Sequence, residues 1–275
     1  MLNPKNFGLF PQIVAALLRN DAIGIDGRWY HPYRSFNYTT SQPPPSFISN
    51  GIPFRIMFMG ASITRGDVST GNLGFRKPVR DKFVLAGNLV NLVGSQKLGD
   101  FKDNDLEAYP GNRIDQVHEH SIHIVPETKP NLFIIHVGTN DCLQNWDIAN
   151  FGARMRDFVA YLLATSSRAT VVMSTLITNT VPEVEPRILN VNSQIRQIAS
   201  ILQAEGKPVV LAEMHYDQGL PGRPQPSDIS PDGTHPFDAG YAMMADIYWA
   251  SVLEAERKGL FRSPEINGIP DDGDA

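Results

Sequence analysis

From Phe54 onward the chain alternates short apolar runs with longer amphipathic ones, and this rhythm restricts its possible folds more than any other feature. The apolar runs are residues 54–59, 88–93 (NLVNLV), 131–137 (NLFIIHV), 169–176 (ATVVMSTL) and 208–213 (PVVLAE), each of a length suited to a strand buried on both faces. Between them lie helical patterns from Phe75 to Ala86, Ile114 to Val125, Ile148 to Ala164 and Arg187 to Ala204. In the third, Ile148, Phe151, Met155, Phe158, Val159 and Leu162 recur at spacings of three and four, which marks one buried helix face. A closing helix with the same rhythm (Tyr241, Met244, Ala245, Tyr248, Trp249, Val252) follows the Pro- and Gly-rich loop 217–236. Strand followed by helix, five times over, predicts an α/β chain: a three-layer α/β/α sandwich around a flavodoxin-like, five-stranded parallel sheet with its first strand near the centre. Sheets of this kind bind ligands outside the carboxyl ends of their strands.

The polar motifs fall at those ends. In FRIMFMGASITRG, residues 54–66, an apolar run stops at Gly60-Ala61 and presents one hydroxyl, Ser62, either as a helix cap or as a nucleophile. Gly138-Thr139-Asn140-Asp141 ends the run LFIIHV. Asn140 there can close an ordinary turn or offer its amide to a developing oxyanion. Asp232-Gly233-Thr234-His235 precedes the closing helix, and its spacing lets Asp232 accept the His235 Nδ1–H and leave Nε2 free as a base. In Tyr109-Pro110-Gly111-Asn112-Arg113, reached from the second strand by a long loop, Gly111 can bring a second backbone N–H beside that of Ser62. His118, His120, His123, His136 and His215 have no carboxylate so placed and read as incidental.

Together these residues describe acyl transfer to a serine: Ser62 attacks, His235 removes its proton, Asp232 orients the imidazole, and Ser62, Gly111 and Asn140 receive the negative oxygen. The combination resembles the SGNH hydrolases, also called GDSL-like esterases, whose four namesake residues match Ser62, Gly111, Asn140 and His235 in order. The resemblance covers about residues 54–255. It is most specific at GTND and DGTHPFDAGYAMMADIYW, while EAYPGNRIDQV and Asn145-Trp146-Asp147 resemble the acetylxylan-esterase branch, family three of the carbohydrate esterases. It implies the SGNH hydrolase fold and a serine esterase that cleaves a small acyl ester, acetyl first, of a carbohydrate or other hydroxylated compound. An acyltransferase with the same residues and a non-catalytic glycan-binding module are the alternatives. One departure is Ala61, where that family usually has Asp.

Other classes fit poorly. The net charge of −5 and the absence of a Lys/Arg stripe leave no footprint for nucleic acid. Cys142 is the single cysteine, which excludes intrachain disulfides and a Cys-based metal site. Asp67, Asp141, His215, Asp232 and His235 are conceivable metal ligands without ligand spacing, so neither metal nor cofactor is expected. No apolar run approaches the roughly 18 residues of a membrane span. Residues 7–18 make a poor secretory signal and a better short helix from about Pro11, which favours a cytoplasmic location over secretion. The domain reading is an N-terminal extension over 1–53, one hydrolase domain over 54–260 and a tail over 261–275. The aromatics of the extension (Trp29, Tyr30, Tyr33, Phe36, Tyr38), ahead of Pro43-Pro44-Pro45, either glue it to the core or line a cleft. Loop 217–230 either rims the pocket or is plain surface.

Overall fold

A computed structural model describes residues 47–274 of the chain. The expected helix near Pro11, the aromatic segment and the proline run lie outside the described residues. A mostly parallel sheet is flanked by helices on both faces. The strands are β1 (Phe54–Gly60), β2 (Val90–Leu92), β3 (Gln96–Lys97), β4 (Asp105–Ala108), β5 (Leu132–His136), β6 (Thr170–Ser174) and β7 (Val209–Ala212). The helices are α1 (Ser62–Arg65), α2 (Arg76–Leu85), α3 (Ile114–Thr128), α4 (Thr139–Leu143), α5 (Phe151–Thr165), α6 (Glu185–Ala204) and α7 (Asp238–Arg257).

The order β4-β1-β5-β6-β7 puts β1 near the middle, in the flavodoxin-like arrangement. The strand position beside β1, however, is split between two pieces. β2 pairs with Phe54–Ile56 and β4 with Met59 and Gly60, both parallel, while β3 folds back antiparallel on β4. The sequence predicts a single strand at 88–93 and a long loop before Gly111, because β3 and β4 are short and mostly polar. α3 also runs three residues beyond the expected end at Val125. Pro126 sits inside its last turn, where the missing N–H leaves Ile122 O without its helical partner.

β1 explains the layers. All seven of its residues are buried, and successive side chains point to opposite faces. Phe54, Ile56 and Phe58 enter a core shared with α2 and α7, where Phe75, Phe83 and Tyr248 pack; Met57 and Met59 enter a second core with α3, α5 and α6. Each fully buried side chain of this size contributes about 1.5–3 kcal/mol relative to exposure. Among the described residues no helix is long and apolar enough to cross a membrane.

The opposite end of the sheet is closed by the tail. The buried Arg55 guanidinium donates to the carbonyls of Thr128, Glu265 and Ile269, Asn131 Nδ2 to Arg262 O, and Asn91 Nδ2 to Pro270 O. Asp274 adds a carboxylate to the buried Arg80–Asp103 pair. Removing residues 262–275 strands several of these buried groups, each at about 1–3 kcal/mol. Such a truncation is expected to lower the unfolding free energy by at least about 3 kcal/mol in urea. An unchanged midpoint would show that the tail merely rests on the domain.

Candidate active site

Ser62 is the first residue of α1, directly beyond the carboxyl end of β1. Its Oγ lies 2.8 Å from His235 Nε2, and His235 Nδ1 lies 2.7 Å from Asp232 Oδ2, although 173 residues separate the hydroxyl from the imidazole. Asp232 Oδ1 also accepts the backbone N–H groups of Thr234 and His235, at 2.8 and 2.9 Å. Burial alone would raise this carboxyl. The two backbone donors, the imidazole and Ser230 outweigh it and bring Asp232 down to about 2, so it is anionic wherever the protein is folded near neutrality.

The turn holding Asp232 and His235 is braced by the segment after β6. Thr180 N donates to Gly233 O at 2.9 Å, and Asn179 Nδ2 donates to Thr234 Oγ1 at 3.0 Å. Glu185 in turn accepts from Asn179 N and from the Thr178 hydroxyl. Its other partner is His215, at 3.0 Å from Nε2, with Asp217 at 3.0 Å from Nδ1. His215 therefore does have carboxylates around it, contrary to the sequence reading, and Glu185 escaped notice because it lies 30 residues away on another element. His215 is 1% exposed and the Glu185 side chain 23%, and the pair belongs to the scaffold.

Gly111 follows β4 and has φ +79, the left-handed region that favours glycine; a Cβ built there meets nothing within 4 Å, so the backbone faces open space. Among the described residues, no carbonyl is paired with the N–H of Gly111 or of Ser62. Asn140 lies in α4 and donates one amide hydrogen to Asn112 O at 3.0 Å, which leaves the second for another acceptor. All three expected donors thus sit just past the ends of adjacent strands.

Buried charges that the sequence did not reveal lock these loops. Asp141 is fully buried, accepts Ile114 N from the start of α3 at 3.1 Å, and receives Arg154 at 2.7 Å. Burial raises its carboxyl, with Arg154 opposing. Arg76 is also fully buried and donates to the carbonyls of Thr64 and Arg65 at the end of α1, and to Asn72 and Leu98. Desolvation lowers its guanidinium to about 10, still charged at neutral pH. Neither arginine carries a sequence signal, because each acts on carbonyls or carboxylates remote along the chain.

The residues weighed as metal ligands are dispersed. Asp67 pairs with Arg65, Asp141 with Arg154 and His215 with Glu185; among the described residues no three His, Cys, Asp or Glu side chains gather as ligands. Cys142 is buried, and burial pushes its thiol well above the usual range, which makes it inert. Residues 217–222 are exposed, while the end of that loop, Asp228 and Ser230, hydrogen-bonds the His235 turn through Phe237 N and His235 O.

The sequence model of the GDSL-like Lipase/Acylhydrolase family matches residues 58–243. Similar solved structures include a family 3 carbohydrate esterase from Clostridium thermocellum (22% identity, TM-score 0.65, covering 75% of this chain and 98% of that one). A second is an acetyl esterase mutant with acetate ion (20%, 0.63, covering 75% and 99%), and a third is a family 3 carbohydrate esterase from Talaromyces cellulolyticus (21%, 0.63, covering 74% and 99%). At such identities the likeness speaks for the fold. No curated protein matches the sequence.

One buried group near the site gives a pH test. His136 ends β5. Its Nδ1 lies 2.9 Å from Ser174 Oγ, which donates its own hydrogen to Ile135 O, while Nε2 is buried without a partner. Burial lowers this imidazole to about 4, below the ordinary 6.5 of the unfolded chain. The unfolded state therefore binds the proton first, and the contribution is complete above pH 6.5 and lost as pH falls toward 4. The loss amounts to about 3 kcal/mol at 1.36 kcal/mol per pKa unit. Urea unfolding of wild type and His136→Gln across this window should show the extra slope in wild type alone; equal slopes would contradict it.

Proposed function

We propose, for a chain that belongs to the GDSL-like lipase/acylhydrolase family and is a carboxylic ester hydrolase, that it removes a small acyl group from a carbohydrate or other hydroxylated compound through an acyl-Ser62 intermediate. Acetyl is the first choice. The observation that carries this reading is the unbroken chain from Asp232 through His235 to the Ser62 hydroxyl, at 2.7 and 2.8 Å.

In this reading Ser62 Oγ attacks the ester carbonyl carbon while its proton passes to His235 Nε2. Asp232 keeps the Nδ1–H in place and stabilises the imidazolium that forms. The negative oxygen of the tetrahedral intermediate takes hydrogen bonds from the N–H groups of Ser62 and Gly111 and from Asn140 Nδ2, each such donor being worth about 2.7–4 kcal/mol in the transition state. The imidazolium then gives its proton to the departing alcohol oxygen as the C–O bond breaks. Water, deprotonated by the same imidazole, releases the acid and regenerates Ser62.

Two observations support acetyl release to water. The similar structures bear the names of family 3 carbohydrate esterases and of an acetyl esterase. The site is also open: the Asp232 side chain is 43% exposed and that of His235 19%, so water reaches the acyl-enzyme, whereas acyl transfer depends on excluding it. The reacting unit is placed in residues 54–260, with 1–53 an extension and 261–275 a tail.

Ser62→Ala is expected to lower kcat on 4-nitrophenyl acetate by more than about 10³-fold with an unchanged circular dichroism spectrum. Asn140→Ala should lower kcat by about 10²–10³-fold and move KM little. Undiminished turnover by the Ser62 variant would overturn the assignment. Accumulation of new ester rather than free acid, in the presence of an alcohol, would favour transfer instead.

A further inference from the structure

The two segments assigned to the oxyanion donors continue into a second feature that the acyl chemistry does not use. Two residues beyond Gly111, the Arg113 guanidinium lies over the ring of Trp146, 4.3 Å from its centroid. The same arginine donates to the Gln144 side-chain oxygen, and Gln144 Nε2 donates to Gly111 O at 3.0 Å. The Trp146 backbone is pinned as well, its N–H on Asp141 O at 2.9 Å and its C=O under Arg154 at 3.2 Å. Both flanking residues, Asn145 and Asp147, take left-handed φ (+50° and +41°). The outcome is a Trp held from several sides and still 49% exposed.

We infer that Trp146 is a stacking face for a sugar ring on the alcohol side of the ester, an inference that rests on the esterase reading above and sharpens it to carbohydrate substrates. Three features select this ligand. The ring is fixed before binding, so little conformational freedom is lost when a partner docks on it. It adjoins the Gly111 segment, because Gln144, two residues before it, donates to Gly111 O at 3.0 Å. Its neighbours Gln144, Asn145 and Asp147 are exposed and polar. A pyranose is matched to that mixture, with an apolar C–H face for the indole and hydroxyls for the surrounding amides and carboxylate; a fatty acyl chain would leave the polar groups unpaired.

The test compares two acetyl esters, 4-nitrophenyl acetate and an acetylated methyl pyranoside, on wild type, Trp146→Ala and Trp146→Phe. The expected result is a loss of kcat/KM in Trp146→Ala at least tenfold greater on the acetylated sugar than on the nitrophenyl ester. That loss should be carried by KM, and Trp146→Phe should recover most of it. Equal losses on both esters would overturn the inference, since Trp146 would then only hold the Gly111 and Asn140 loops. Wild type that cleaves the nitrophenyl ester and not the sugar would overturn it too, and leave the esterase reading standing. Wild type that cleaves neither would sink the esterase reading itself and this inference with it.

Discussion

The site depends on how closely the backbones of β1 and β5 approach at Gly60. A Cβ at that position would lie 2.1 Å from His136 O and 2.2 Å from Thr64 Oγ1, so no other residue can stand there without moving the backbone. Thr64, in turn, donates its hydroxyl to His136 O at 3.1 Å, stitching α1 to the end of β5. Gly60 is paired with His136 on one side and with Ala108 of β4 on the other. Three strands therefore end level with one another, and within four residues of those ends come Ser62, Gly111 and Asn140. Convergence at the sheet edge follows from register.

Around this edge the structure separates what must be rigid from what must meet solvent. Asp141, Arg76 and His215 are buried, and their bonds to Arg154, to backbone carbonyls and to Glu185 fix the loops. Removing Arg154 would strand the buried Asp141 carboxylate, at about 3–5 kcal/mol, so that pair holds its loops in one arrangement. Asp232, by contrast, is partly exposed, its carboxyl held below the usual range by hydrogen bonds, and it stays accessible to water beside the His235 imidazole.

The fold and the residues that gather at the candidate site were legible because their signals are local. Short continuous apolar runs such as LFIIHV, rich in β-branched and aromatic residues, favour buried strands, and the Asp232–His235 pair lies within a single turn, so its geometry follows from its spacing. Long-range partners left no such mark. β3 and β4 are short, polar strands that exist because a neighbour accepts them. Glu185 reaches His215 across 30 residues, and Arg76 meets carbonyls of α1, of Asn72 and of Leu98. Trp146 was read only as part of a resemblance; its fixation by Arg113 and Arg154 needed coordinates.

The central claim is that the Ser62 hydroxyl is activated by an imidazole brought to it from the far end of the chain. Reaction with a fluorophosphonate followed by peptide mass spectrometry tests it without any assumption about substrate. The account predicts a single phosphonyl adduct on Ser62 that is lost in His235→Ala. Labelling of another residue, or equal labelling of Ser62 without the imidazole, would contradict it.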